Sequence, residues 1–170
     1  MFLLQVELIQ VVWSDQKNQP PPALVAQHAS SKKVIYETHT TDRLSNRFKS
    51  INSPPTKGVL SIDDDLLISC EQLHQGFNIW TANEFALVGY SPRMHGVSAV
   101  TGEDRYLRWQ NTWWAGVYSI ALTKAAFLHH KYLQDFFSVL PPAFIADIDQ
   151  HRNCEDLAMA YVVAVMSQTP

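Results

Sequence analysis

The chain has 170 residues, 46% of them hydrophobic and 17% charged, with a formal net charge of −3. That length fits one domain with a real core, and the composition is globular rather than disordered. The mild acidity gives no basic surface for nucleic acid or anionic lipid, and no apolar run reaches the roughly 20 residues of a membrane-spanning helix.

The opening "MFLLQVELIQVVW" is interrupted by Gln5, Glu7 and Gln10 and lacks a basic start and a small-residue cleavage site, so it reads as a strand and not a leader. "VELIQVVW", Val6 to Trp13, is its buried part. A polar, proline-rich loop follows, then a short helical piece "ALVAQHA" and a second strand, "KVIYETH". "DRLSNRFKSI" reads as a helix capped by Asp42, with Leu44, Phe48 and Ile51 on one face. "VLSI" is the third strand, and "SCEQLHQGFNIWTAN" is a helix carrying Leu73, Phe77 and Trp80 on one side.

"EFALVGYSP" and "WAGVYSIAL" read as further strands, separated by a loop bearing glycine and tryptophan. "KAAFLHHKYLQDFFSVL" reads as one amphipathic helix with a stripe of Phe127, Leu128, Tyr132, Phe136, Phe137 and Leu140. "CEDLAMAYVVAV" is helical behind Asn153 as cap. Alternating strands and helices predict an α/β fold with a mainly parallel sheet flanked by helices.

The chemistry-bearing stretch is "VLSIDDDLLIS". Asp63, Asp64 and Asp65 lie at the carboxyl end of a strand, where ligands of open α/β sheets bind. Adjacent carboxylates between apolar runs need compensation. Two hard oxygen ligands on one side of an extended segment suit Mg²⁺ or Mn²⁺ with substrate phosphates. A solvated acidic turn that caps the next helix is the alternative, and the residues alone leave it open. Arg43 and Arg47 stand four apart, suited to phosphate oxygens or to a plain solvated face. Glu155 and Asp156 at a helix start complement its dipole whatever else they do. Trp109, Trp113 and Trp114 invite a sugar-stacking reading but are expected as core or interface anchors. The histidines lack metal spacing, and two cysteines, Cys70 and Cys154, are too few for a disulfide framework.

In order along the chain, "VVWSD", "TTDRLSNRF", "VLSIDDDLLIS", "LVGYSPRMH", "YSIALTKAAFLHHKYLQDF" and "ADIDQHRNCEDLAMAYVVA" resemble the exostosin-like glycosyltransferases of glycosyltransferase family 64. The resemblance implies a GT-A fold, a Rossmann-like α/β domain that binds a nucleotide-sugar with a metal at its diphosphate. It implies a retaining transfer of N-acetylhexosamine (GlcNAc or GalNAc) from its UDP-sugar to a glycan, glycolipid or protein-linked sugar, with Mn²⁺ as the usual ion and Mg²⁺ as an alternative. By position, Asp65 is then the metal ligand, and Asp63 and Asp64 contact ribose, uracil or donor sugar. Arg47 and Asp42 hold the nucleotide with Ser14 nearby, and Asp156 is the carboxylate at the reacting sugar.

Ser14 and Asp42 stand where the family typically carries asparagine, and Glu155 replaces an aspartate. The resemblance further implies a single domain over 1–170 that is truncated at both ends. The family's first strand, a C-terminal arginine and the disulfide partner of Cys154 would lie outside it. It also implies work in the Golgi or endoplasmic reticulum lumen, with any membrane anchor elsewhere. Two other readings compete: a catalytically inactive nucleotide- or glycan-binding remnant of the same fold, and a metal-dependent nucleotidyltransferase. The second should show a glycine-rich phosphate loop near its start, and none is present.

Overall fold

The computed structural model describes residues 6–31, 33–49 and 53–168. β1 (Ile9–Trp13), α1 (Pro22–Ala29) and β2 (Val34–Thr38) form a right-sized crossover unit, and β1 and β2 pair in parallel from Ile9↔Val34 to Trp13↔Thr38. The next segment is tighter than expected: Leu44–Phe48 is a single stretch of 3-10 helix begun by Arg43, without a side-chain cap. Asp42 is not its cap, and Ile51 lies outside the described residues. β3 (Gly58–Ile62) and α2 (Cys70–Ala82) fall where periodicity puts them. Ser69 caps α2 reciprocally with Gln72, which satisfies two backbone N–H groups at once.

β4 (Val88–Gly89), β5 (Pro92–Val97), β6 (Asp104–Leu107), α3 (Trp109–Ala115) and β7 (Ile120–Ala121) follow. The stretch expected as loop thus holds a hairpin and a helix, and the two expected strands shrink to two residues each. Gly116, at φ 66°, ends α3 in a left-handed turn that side chains disfavour. The largest correction concerns residues 124–140. They are not one helix but a strand, β8 (Ala125–His129), and then α4 (Lys131–Val139). β8 is the centre of its sheet, in the order β3-β8-β4, so both of its faces are covered and Ala125 through Leu128 are all buried. α5 (Pro142–His151) and α6 (Glu155–Ser167) complete the chain.

The mainly parallel sheet is also corrected. β8 runs antiparallel to β3, from Gly58↔His129 to Ile62↔Ala125, and antiparallel to β4. The third sheet, β6-β5-β7, is antiparallel throughout. Parallel neighbours need a crossover of a dozen or more residues. Among the described strands only β1 and β2 are neighbours joined by one; β3 and β4, joined through α2, are separated by β8, which enters the sheet from the opposite end.

α4 and α6 pack on each other behind β8 and the 3-10 helix, closing a core around Phe48, Leu128, Tyr132, Phe136, Met159 and Val162. The Phe48 and Phe136 rings lie 4.7 Å apart, and the buried Tyr132 hydroxyl donates to the Phe85 carbonyl at 2.8 Å. This core fixes the 3-10 helix, the end of β3 and the start of α6 against one another. The tryptophans behave differently from expectation: Trp109, Trp113 and Trp114 are 55%, 72% and 81% exposed. A seven-residue helix at the molecule's edge has too little sheet beneath it to cover three indoles.

Candidate active site

Four segments converge where β3 ends. The 3-10 helix supplies Arg47, β3 and the residue after it supply Ser61 and Asp63, the β7–β8 connection supplies Thr123, and α6 begins with Glu155 and Asp156. Arg47 is the hub. Its Nη2 donates to the Asp63 carboxylate, to Ser61 Oγ at 3.4 Å and to the Thr123 carbonyl at 3.3 Å. Its Nη1 donates to Glu155 Oε1 at 3.3 Å. The guanidinium Nε is buried and meets no acceptor among the described residues.

Asp156 is held from across the site. Its Oδ1 accepts both the Thr123 backbone N–H, at 2.7 Å, and the Thr123 hydroxyl. Thr123 is fully buried, so this carboxylate is fixed by a rigid wall. Two carboxyl groups, Asp63 and Glu155, therefore contact one guanidinium, and the charge of Asp156 acts on Glu155. Burial, and next the charge of Asp156, push the Glu155 carboxyl above its ordinary range, and Arg47 pulls only partly the other way.

The backbone that aims these acids is unusual. Arg152 (φ 51°) and Cys154 (φ 75°) are left-handed without being glycine, a conformation that costs each about 1 kcal/mol or more. Asn153, expected as the cap, instead accepts the Cys154 N–H on its Oδ1 at 2.8 Å, while Cys154 itself stands at the cap position. Two such residues in three turn the chain sharply from α5 into α6. Glu155 and Asp156 then face the end of β3. The Arg152 guanidinium clasps Asp42 through two bonds of 2.8 and 3.1 Å, and Asp149 accepts the Ser45 N–H and hydroxyl at 2.8 and 2.9 Å, tying α5 to the 3-10 helix.

The predicted site residues fall into two groups. Arg47, Asp63 and Asp156 meet in one cluster, with Arg47 occupied by protein carboxylates. Ser14 reaches the same neighbourhood through Asn46, whose amide Nδ2 donates to Ser14 Oγ at 3.1 Å and to the Thr41 carbonyl at 2.7 Å. Asp42 is exposed and paired with Arg152, next to Thr41, whose carbonyl accepts the Asn46 amide. Asp64 and Asp65 are exposed in the turn after β3, and neither carboxylate has a protein partner among the described residues. Thr123, Ser61 and Asn46 were not legible as site residues, because single hydroxyls and amides inside apolar runs carry no pattern.

No three Cys, His, Asp or Glu side chains among the described residues form a closed metal cage. The donor set nevertheless fits a Mg²⁺- or Mn²⁺-type ion, which takes one or two exposed carboxylates and fills its remaining positions with water and substrate oxygens. Asp64 and Asp65 are such carboxylates. Cys70 and Cys154 are both exposed and not bonded to each other.

With this geometry in view, the comparisons with known proteins are decisive. The sequence matches the glycosyl transferase family 64 domain over residues 3–170. The chain belongs to glycosyltransferase family 64. It is 34% identical to glycosylinositol phosphorylceramide mannosyl transferase 1 of Arabidopsis thaliana, over 98% of this chain and 53% of that protein. It is 34% identical to human exostosin-2, over 91% of this chain and 21% of that protein. It is 33% identical to mouse exostosin-like 2, over 90% of this chain and 47% of that protein. The family 64 chain thus spans about half the length, or less, of these relatives. No helix among its described residues is long and apolar enough to cross a membrane.

Proposed function

We propose that this domain transfers a hexose unit from a nucleotide-diphosphate sugar to a glycan or glycolipid acceptor, with retention and with a divalent metal. The observation that carries the reading is the convergence of Arg47, Asp63, Glu155 and Asp156 where β3 ends and α6 begins. Asp156 is the anion at the reacting sugar: glycosyl transfer develops positive charge at the anomeric carbon, and a carboxylate fixed by two Thr123 donors stabilises it without reorganising. Asp63 and Asp64 contact the donor's ribose, base or sugar, and Asp42, Arg47 and Ser14 flank the nucleotide.

Asp65, with Mn²⁺ or Mg²⁺, is the point at which the diphosphate is held. Bound there, such an ion would supply the charge that neutralises the departing diphosphate. The donor is UDP-N-acetylhexosamine on family resemblance. A second reading, mannose as the transferred sugar, is favoured by the plant relative named as a mannosyl transferase that aligns with 98% of this chain. We infer from the family resemblance that the domain works in the lumen of the Golgi or endoplasmic reticulum.

Calorimetric titration of UDP and of GDP, each with Mn²⁺ and with EDTA, tests donor and metal together. UDP affinity at least about tenfold higher with Mn²⁺, equivalent to about 1.4 kcal/mol, supports the reading. Preferential GDP binding moves the donor to the mannose class, and equal affinity in EDTA removes the metal. Asp65→Asn should erase the metal effect more completely than Asp64→Asn.

A further inference from the structure

Beyond the carboxylate cluster the molecule has a second concave feature. A cavity of about 330 Å³ opens between α3 and the antiparallel sheet, walled by Tyr90 and Pro92 on one side and by Trp109, Thr112, Trp113 and Tyr118 on the other. Its size is at the small end of the roughly 300–1,000 Å³ typical of small-molecule sites, with room for a sugar ring. Half of its eight lining residues are aromatic, and Tyr118 is 70% exposed beside the exposed indoles. A contiguous exposed aromatic patch costs solubility and folding stability, so it marks a binding surface.

We propose that this cavity is the acceptor subsite, and that it holds one pyranose ring of the acceptor against Trp113, Trp109 and Tyr118; this rests on the glycosyl-transfer reading above. The occupant is identified by chemistry. A pyranose presents a face of C–H bonds, which carry partial positive charge and suit the electron-rich faces of indole and phenol rings. Around that face runs a rim of hydroxyls that need hydrogen-bond partners. The Trp109 and Trp113 indole N–H groups and the Tyr118 hydroxyl meet no protein partner among the described residues. Thr112 lies at the floor with its hydroxyl committed to the Trp109 carbonyl at 2.6 Å, which fixes that indole's backbone.

The wall of the cavity is also hydrogen-bonded to a segment of the proposed reaction centre. Tyr90 donates its backbone N–H to the Ala125 carbonyl at 2.9 Å, and the Leu122 N–H donates to the Ser91 carbonyl at 3.0 Å. The cavity wall at residues 90–92 is therefore paired directly with residues 122–125. Those residues hold Asp156 through Thr123 and receive Arg47 on the Thr123 carbonyl. The backbone of that wall therefore lies about one strand spacing, roughly 5 Å, from the segment that fixes the catalytic carboxylate.

The test is a titration of the ¹⁵N-labelled chain, following its tryptophan indole N–H signals, with methyl β-D-glucopyranoside, methyl β-D-galactopyranoside and methyl α-D-mannopyranoside in turn. Glycerol serves as the control polyol. At least one glycoside should move the Trp109 and Trp113 signals saturably in the millimolar range, while the buried Trp80 signal stays in place. Trp113→Ala should weaken that binding at least about tenfold and Trp113→Phe by no more than about threefold, since phenyl keeps a stacking face. Tyr118→Ala provides a second variant, and dispersed spectra of each confirm the fold.

Absence of saturable movement with all three glycosides overturns the proposal, as does equal affinity in Trp113→Ala. Indole signals that respond to protein concentration and not to glycoside, with matching dimerisation in sedimentation, would assign the face to a second copy and overturn it too. UDP titration with Mn²⁺ on Trp113→Ala should match wild type. If wild type fails to bind UDP, the donor reading falls while the glycoside titration still decides the cavity.

Discussion

Arg47→Met removes the cation that two carboxyl groups, Asp63 and Glu155, contact. Arg47 and Glu155 are 17% and 11% exposed in their side chains, and their charged atoms lie 3.3 Å apart. With an effective dielectric of about 20, the attraction at that distance is about 5 kcal/mol before desolvation is subtracted. Asp63 is 34% exposed and so adds less, about 1 kcal/mol. Methionine fills the aliphatic space but leaves Glu155 under the charges of Asp156 and Asp63 without a compensating cation. Removing one partner of a buried pair typically costs about 3–5 kcal/mol, and that is the expected loss at pH 7. For a domain with about 5–15 kcal/mol in hand this is large.

Urea unfolding measures it, with an expected fall in the midpoint of about 2 M for a slope near 2 kcal/mol/M. Acidification to about pH 4 should shrink the loss, since protonation relieves the uncompensated charge. Adding Glu155→Gln to the variant should recover at least about 1 kcal/mol. A loss below about 1 kcal/mol at pH 7, or one that is the same at both pH values, would refute the picture of Arg47 as the compensating charge.

Glu155→Gln alone should gain stability relative to wild type as pH rises. The raised Glu155 carboxyl keeps a proton in the folded state that the unfolded chain releases, so its favourable contribution is complete below the ordinary value of 4.5 and is lost as pH climbs through the raised one. Melting curves at about pH 4 and 7 check this, and a relative loss on going up would contradict it. Gly58→Ala should destabilise by about 1–3 kcal/mol, because the added Cβ would sit 2.7 Å from the buried Trp80 ring and the ring has no room to retreat. The expected reading is a melting point lower by several degrees, and an unchanged one would show that the β3–α2 contact is looser than it looks.

What the sequence made legible follows from physics that acts locally. β3, α2 and α6 carry period and length on their own residues, α2 its cap as well, and each stands within a few positions of where the pattern puts it. Residues 124–140 do not. A strand buried on both faces is apolar at every period, so "AAFLH" extends the stripe of the true helix α4 without a visible seam. The break is made by tertiary pairing with β3 and β4, which no local window contains. β4 and β7 have two residues each, too few for any periodicity.

α5 did carry a local signal, Pro142 at its first turn with Phe144, Ile145 and Ile148 after it. At the site, the acids and Arg47 were legible by type and position. Their mutual arrangement was not, because the ion pairs join residues 16 and 108 apart in sequence. Thr123, which orients Asp156, is invisible as a site residue until α6 docks beside it.

The most direct test of the account is single-turnover transfer by Asp156→Asn, measured beside its UDP affinity in Mn²⁺. Asparagine keeps the size and one oxygen for the Thr123 donors but removes the negative charge. If Asp156 stabilises the charge that develops at the sugar, transfer should fall by at least about a thousandfold while UDP affinity stays within about threefold, the mark of an interaction made in the transition state. Near-normal transfer by Asp156→Asn, with Glu155→Gln inactive, would show that the neighbouring acid does the chemistry and would contradict the assignment.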